Sequence, residues 1–330
     1  MLNGKTILVT GGTGSFGKKF IEKIVAEYKP RKVIIYSRDE YKQYVMQKKF
    51  LEHKDSLRFF LGDIRDKARL YRAFEGVDYV VHAAALKQVP ALEYNPFEAV
   101  KTNVIGADNI VDAAIDKGVK KVIALSTDKA VNPINLYGAT KLVAEKIFTA
   151  ANAYSGGKAR FSSVRYGNVI GSRGSVIPLF MKLKQAGVKE FTITDERMTR
   201  FWIMFEQAVD LVITALKESE GGEVFVPSIP SMRIADLAKA IEPDCTFKFT
   251  GIRPGEKLHE NLISYDEARY TKKVNGIYVI VPRFRVSNKT SNKYDKYESV
   301  PEGFSYRSDL NDKWLTQEQL RAIIKGMKFE

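Results

Sequence analysis

Thr6-Ile7-Leu8-Val9-Thr10-Gly11-Gly12-Thr13-Gly14-Ser15-Phe16-Gly17 is the stretch from which the fold of this chain is read. Its first five residues are apolar or β-branched, the pattern of a buried strand. Glycines follow, and Lys18 to Tyr28 then shows the apolar spacing of a helix. Glycine lets the backbone turn sharply and approach a pyrophosphate, whose charge meets the free N–H groups at the helix start. Gly11, Thr13, Gly14, Ser15, Phe16 and Gly17 are therefore candidate contacts to a dinucleotide. A glycine turn alone is weak evidence, but this one lies between a strand and a helix, as the mechanism requires.

Working outward, Lys32 to Tyr36 reads as a second strand, ending in Ser37-Arg38-Asp39. A hydroxyl and a planar guanidinium suit a 2′-phosphate, which favours NADP over NAD. Asp39 fits either a bond to the ribose or a pair with Arg38. Arg58 to Leu61 leads to Gly62-Asp63, where the carboxylate suits an adenine amino group or caps a helix starting at Arg65. Val77 to Val81 is a strand that opens into His82-Ala83-Ala84-Ala85, where small side chains let a cofactor lie against the backbone; His82 reads as packing and backbone bonding. Pro96 to Lys117 reads as a helix and Lys121 to Leu125 as the next strand. Strands alternating with helices predict an α/β fold, a doubly wound parallel sheet with ligands at the strand carboxyl ends.

At one such end lies Leu125-Ser126-Thr127-Asp128-Lys129, followed by Tyr137-Gly138-Ala139-Thr140-Lys141. Residues four apart share a helix face, so the spacing predicts Lys141 beneath Tyr137, holding its phenol near ionisation. That pair suits removal of an alcohol proton while a hydride leaves the same carbon. Asp128 and Lys129, an acid beside an amine, imply a second chemical task in the same pocket.

The 330 residues fit one large or two joined domains, and at 45% hydrophobic and 28% charged the composition is that of a globular protein. No apolar run reaches the roughly 18 residues of a membrane span. Met1 to Lys5 leads directly into the first strand, leaving no room for a signal peptide. The single cysteine, Cys245, excludes an internal disulfide and points to a cytoplasmic protein, and three scattered histidines give no metal site. The net charge of +14 is spread along the chain without a nucleic-acid-binding signature. Some of that excess suits an anionic substrate, with Arg200, Arg253 and Lys257 as candidates.

The organisation expected is a nucleotide-binding domain over 1–166, joined by a return segment near 198–228. Residues 167–330 then form mainly a substrate domain and a C-terminal arm. Gly167-Asn168-Val169-Ile170-Gly171-Ser172-Arg173-Gly174-Ser175 is a glycine-rich loop suited to an elongated ligand, and Ile252 to Lys257 is a turn presenting both charges. Beyond Ser264 clear periodicity is lost, and Ser287 to Tyr306 reads as a polar loop or arm. Trp314 to Met327 reads as a capped helix.

Taken together, Thr10 to Gly17, Ala84-Ala-Leu-Lys-Gln-Val-Pro90, Ser126-Thr-Asp-Lys129, Tyr137 to Lys141, Arg165-Tyr-Gly-Asn168 and Arg253-Pro-Gly-Glu256 resemble one family. It is that of the inverting UDP-N-acetylglucosamine 4,6-dehydratases of pseudaminic acid synthesis, in the extended short-chain dehydrogenase/reductase superfamily. The likeness runs from residue 4 to about 263. Thr127-Asp128-Lys129 stands where sugar dehydratases usually show Thr-Asp-Glu, while Gln88 departs from a frequent histidine.

The resemblance implies NADP as cofactor, with Lys42, Lys87, Tyr137 and Lys141 added to its contacts, and UDP-N-acetylglucosamine as substrate. It implies substrate contacts at Lys87, Asn168, Val169, Ser175, Arg200, Arg253 and Glu256, the two arginines facing the diphosphate. It further implies a homo-oligomer, commonly a hexamer, while the hydropathy and charge pattern above predict no membrane or nucleic-acid partner. In the implied reaction Thr127 and Tyr137, helped by Lys141, serve the C4 hydroxyl. Lys129 abstracts the C5 proton if burial and nearby cations lower its pKa, and protonated Asp128 donates to the departing C6 hydroxyl. The competing readings are a retaining dehydratase, a nucleotide-sugar epimerase and a non-catalytic nucleotide sensor. Asp128-Lys129 disfavours a pure 4-epimerase, and intact Thr127, Tyr137 and Lys141 argue against the sensor.

Overall fold

Strand β1 (Thr6–Thr10) is buried at every position because its two faces serve two different cores. Ile7 and Val9 join one apolar cluster and Leu8 the other. An unbroken apolar run is what a strand covered on both sides requires. The computed structural model describes residues 1–282 and 293–327. β1 lies in a nine-stranded sheet whose further members are β2 (Lys32–Ser37), β3 (Leu57–Leu61), β4 (Tyr79–His82), β5 (Lys121–Thr127) and β6 (Arg160–Tyr166). From one edge the order runs β3, β2, β1, β4, β5, β6, all parallel, followed by Val224–Pro227, also parallel to β6. The chain steps from β1 out to β3 and returns to β4 on the other side. The crevice at that reversal, at the strand carboxyl ends, is where open α/β sheets bind ligands.

Helices Ser15–Glu27 and Phe205–Glu218 cover one face of the sheet. Lys67–Ala73, Gly106–Asp116 and Leu136–Tyr154 cover the other. The helix expected from Pro96 to Lys117 is interrupted, with a wide π turn at Val100–Ile105 between Pro96–Ala99 and Gly106–Asp116. The turn carries Asn103, whose side chain accepts from the Leu86 N–H and donates to the Leu86 carbonyl, both at 2.9 Å. The bulge thereby pins the loop that leaves β4.

A smaller unit begins where the chain leaves β6. Asn168–Val169 pairs with Thr199–Ile203, which pairs in turn with Ser231–Arg233. Helices Val176–Gln185, Ile234–Ile241 and Gln317–Lys325 enclose a third apolar cluster around Phe180, Phe191, Trp202 and Leu237. Thr316 caps the last of these, accepting from the Gln319 N–H while the Gln319 side chain accepts from Thr316.

The loss of periodicity expected after Ser264 is corrected by the structure. Thr271–Val274 and Ile277–Ile280 form an antiparallel hairpin that extends the main sheet beyond Val224–Pro227. Its turn is Asn275-Gly276, with φ of +48° and +82°, an Asn-Gly pair of the kind that favours tight hairpins. Of the arm expected over 287–306, residues 287–292 lie outside the described residues. The remainder runs back beside the hairpin, with Tyr294 buried and Ser299 bridged to Lys272. It ends in Tyr306–Arg307, paired with Asn261–Ile263.

Candidate active site

The glycine turn after β1 is shaped by close backbone approach. Gly11 sits at φ +65°, and a Cβ there would lie 2.8 Å from the Ala84 nitrogen and 2.9 Å from the Ala83 carbonyl carbon. A Cβ on Gly17 would lie 2.6 Å from Gly12, so the helix packs directly on the turn. Helix Ser15–Glu27 starts without a side-chain cap and without an acid in its first turn. Its positive end is thus left for an anion, and the residues fit a dinucleotide pyrophosphate.

At the end of β2 the Ser37 hydroxyl bonds that of Thr13 at 2.7 Å. Asp39 does not form the pair with Arg38 that was one of its two expected uses. Its carboxylate instead caps helix Glu40–Lys49, accepting from the Lys42 N–H at 2.9 Å, and pairs with Lys42 Nζ at 2.5 Å. Lys42 is therefore engaged with Asp39, while half-exposed Arg38 lies 3.5 Å from Asp63. Asp63 is not the cap of the next helix, which is Asp66. It accepts from the backbone and guanidinium of Arg65, and a Cβ on Gly62 before it would strike the Tyr36 ring. His82 is buried against Phe148 and bonds the Thr10 hydroxyl at 2.8 Å. Its partner is thus a side chain, and burial holds it neutral with a pKa of about 3.

At the end of β5 the chain turns tightly through Asp128–Ala130 and enters helix Leu136–Tyr154. Asn135 caps that helix, accepting from the Gly138 N–H at 2.8 Å. A Cβ on Gly138 would lie 2.1 Å from the Lys129 carbonyl oxygen, so only glycine lets the helix start press on the Asp128–Ala130 turn. Tyr137 and Lys129 are brought together in this way. The Thr127 hydroxyl donates to Asp128 Oδ1 at 2.9 Å, and Lys129 Nζ donates to the same oxygen at 3.0 Å. Asp128 is fully buried, and its Oδ2 has no hydrogen-bond partner among the described residues.

Two electrostatic expectations are corrected here. Burial does act to lower the Lys129 pKa, with Arg200 in support, but the carboxylates of Asp128 and Glu260 outweigh both. The amine is held well above its ordinary value, as an ammonium. Tyr137 is likewise raised, first by burial and then by Asp128, against the pull of Lys129 and Thr127. Its phenol is not near ionisation. Lys141 is buried, and desolvation brings its pKa down to about 8, with Glu145 opposing.

Glu260 is the site residue that the motif reading missed. It is buried, 3.3 Å from Lys129 Nζ, 3.8 Å from Arg200 Nε and 3.8 Å from Lys257 Nζ. Its spacing of three from Lys257 is the one local signal, and it reads equally as a solvated pair.

Arg200 differs from the diphosphate clamp expected of it. Its Nη1 donates to the carbonyls of Thr199 and Leu258, and its Nη2 to that of Lys257. Lys257 in turn donates to the Val131 carbonyl at 2.5 Å. Arg253 is exposed and pairs with Glu256 at 3.4 Å, while Glu256 also accepts from the Thr194 hydroxyl. Lys87 Nζ donates to the Arg173 carbonyl, linking the loop after β4 to the glycine-rich loop. Its amine is lowered by desolvation and by Lys129. In that loop the Ser175 hydroxyl donates to the Ser172 carbonyl, and Asn168 and Val169 are half-buried at the crossing between units. Among the described residues no helix is long and apolar enough to cross a membrane, and no cluster of three or more metal-ligating side chains occurs.

With this geometry in hand, residues 7–282 match the family described as polysaccharide biosynthesis protein. The chain is 52% identical over 330 residues, 98% of each chain, to a protein of Campylobacter jejuni subsp. jejuni serotype O:23/36 (strain 81-176) named UDP-N-acetylglucosamine 4,6-dehydratase (inverting). A Rickettsia felis protein named UDP-glucose 4-epimerase is 40% identical, covering all of this chain and 98% of its own. The X-ray structure of Pen from Bacillus thuringiensis superposes with a TM-score of 0.89 at 38% identity, over 98% of both chains.

Proposed function

The chain belongs to the polysaccharide biosynthesis protein family, among the inverting UDP-N-acetylglucosamine 4,6-dehydratases of the extended short-chain dehydrogenase/reductase superfamily, and on that premise we propose that it is a hydro-lyase acting on UDP-N-acetylglucosamine. The product is UDP-2-acetamido-2,6-dideoxy-β-L-arabino-hex-4-ulose, the first intermediate toward pseudaminic acid for surface glycans or flagellin. The observation that carries this reading is the Asp128–Lys129 pair beside Tyr137. A pure 4-epimerase needs a proton acceptor at O4 and has no use for an acid and an amine at C5 and C6.

The cofactor we propose is NADP, held by the Gly11–Gly17 turn with Ser37 and Arg38 at the 2′-phosphate. The diversion of Asp39 to Lys42 supports that choice. When bound there, NADP would supply a hydride acceptor and donor for the sugar, with no net redox change. As a phenolate, its own proton having first been released to solvent, Tyr137 takes the proton of the C4 hydroxyl, with the Thr127 hydroxyl beside it and Lys141 one helical turn further on. The resulting ketone acidifies C5–H. Transfer of one proton from Lys129 Nζ to Asp128, across the 3.0 Å hydrogen bond, converts an ion pair into an amine and a carboxylic acid without a net proton. The amine takes the C5 proton, the acid protonates the C6 hydroxyl, and water leaves. Reprotonation of C5 on the opposite face gives inversion. The exposed guanidinium of Arg253 serves the diphosphate, with Lys87, Asn168, Val169, Ser175 and Glu256 lining the sugar-nucleotide cleft. Arg200 serves as a brace for the Lys257–Glu260 segment. We further propose a cytoplasmic homo-oligomer, hexameric by likeness to the family.

Proton NMR of UDP-N-acetylglucosamine with the purified protein and NADP in deuterium oxide tests the reaction. A 4-keto-6-deoxy sugar with deuterium at an inverted C5 is expected. Retained configuration overturns the inverting assignment, and a C4 epimer without loss of water makes the protein an epimerase.

A further inference from the structure

Lys129 is flanked by two carboxylates, and only Asp128 is consumed by the chemistry proposed above. Glu260 is 2% exposed and 3.3 Å from Lys129 Nζ, and its Oε2 has no hydrogen-bond partner among the described residues. Burying a carboxylate in this state is costly unless a nearby charge repays it. The charges that face Lys129 are Asp128 and Glu260 against Arg200, Lys257 and Lys87, with the Tyr137 phenol alongside.

We propose that Glu260 is a positioning residue that acts through Lys129, supplying the counter-charge for the Lys129 ammonium while Asp128 is neutral. The inference rests on the dehydratase reading. Once the amine has taken the C5 proton, Asp128 still holds the proton destined for the C6 hydroxyl. In that interval the new ammonium faces Arg200, Lys257 and Lys87, and Glu260 is the carboxylate left to balance it. The atoms balance throughout, because Glu260 neither gains nor loses a proton. Its backbone N–H donates to the Ser308 hydroxyl, and Ser308 N–H donates to its carbonyl. Those bonds anchor the Glu260 backbone beside Lys129. Arg200, with three backbone carbonyls and Glu260 Oε1 around its guanidinium, completes the wall.

The test uses the isosteric Glu260→Gln variant, with Glu260→Asp as a second variant that keeps the charge and the fold if the first is unstable. The pH dependence of acylation at Lys129 by an amine-selective reagent, read by peptide mass spectrometry, reports its proton affinity independently of turnover. In Glu260→Gln the acylation midpoint is expected to fall by about one pH unit or more, with partial recovery in Glu260→Asp. In the same variant kcat for UDP-N-acetylglucosamine is expected to fall about tenfold or more, with KM within about threefold. An unmoved midpoint, or a kcat within about twofold of the parent protein, overturns the proposal. A moved midpoint in a protein that does not dehydrate UDP-N-acetylglucosamine leaves the Glu260–Lys129 coupling standing and removes the dehydratase reading instead.

Discussion

Tyr137 and Lys141 sit four residues apart on helix Leu136–Tyr154 and differ in environment: the phenol is raised by burial, and the amine is brought down to about 8 by it. In the proposed mechanism the Tyr137 oxygen must accept a proton, which a bare ring edge cannot do. Tyr137→Phe is expected to lower kcat by about 100-fold or more with little change in fold, checked by steady-state assay and circular dichroism. Arg38 is half-exposed at the end of β2. Arg38→Ala is expected to weaken NADP about tenfold and NAD by less than about threefold, read by titration of intrinsic fluorescence. His82 titrates with the opposite consequence for stability. Its folded pKa of about 3 lies below the unfolded value of 6.5, so the unfolded chain binds the proton first as pH falls. Stability contributed by neutral His82 is present above 6.5 and is lost progressively toward 3. The loss between pH 7 and pH 5 is about 2 kcal/mol. Urea unfolding at the two pH values should show that decrement in the parent protein and a smaller one in His82→Asn.

At the scale of elements, the hairpin Thr271–Ile280 depends on its turn. Asn275 and Gly276 both adopt positive φ, and nothing lies within 4 Å of a Cβ built on Gly276. A substitution there is therefore purely a backbone test. Gly276→Val is expected to destabilise by about 1–2 kcal/mol, seen as a lower urea midpoint with an unchanged slope. The Gly138 position is a different kind of constraint. A side chain there meets the Lys129 carbonyl, so the glycine places the helix against the Asp128–Ala130 turn and serves no conformational purpose of its own.

Across the whole molecule, Arg165 ties elements distant in sequence. It is buried at 1% exposure on β6, bonded to Glu145 at 2.6 Å, to Glu267 at 3.0 Å and to the Leu262 carbonyl at 2.9 Å. Those partners come from the helix carrying Lys141 and from the segment just beyond Glu260. Arg165→Ala strands Glu145 without its partner in the interior and is expected to cost about 3–5 kcal/mol, measured by urea denaturation. Helix Leu136–Tyr154 and the Glu260 segment should loosen together, which hydrogen exchange over 136–154 and 258–268 would report.

The strand, glycine turn and helix at residues 6–27 were legible because local chemistry dictates them: an apolar run, flexible glycines and helical spacing act within a dozen residues. So were the parallel sheet, from the alternation of elements, and the grouping of Thr127, Asp128, Lys129 and Tyr137, which lie within eleven residues of one another. The hairpin at Asn275-Gly276 was also written in the sequence, though its strands are too short for a periodicity to declare them. Other features were decided by tertiary structure alone. Glu260 reaches Lys129 across 131 positions of chain, Asp39 turns to Lys42, and Arg200 is drawn onto backbone carbonyls. The protonation of Lys129 belongs with these. A lysine's proton affinity is the sum of burial and every charge around it; Asp128 next to it in sequence raises that sum most, and the second carboxylate, Glu260, comes from a distant turn. Sequence fixes which groups are available and which local shapes they prefer; only folding brings charges from remote segments within a few ångströms, where electrostatics becomes strong enough to choose a protonation state.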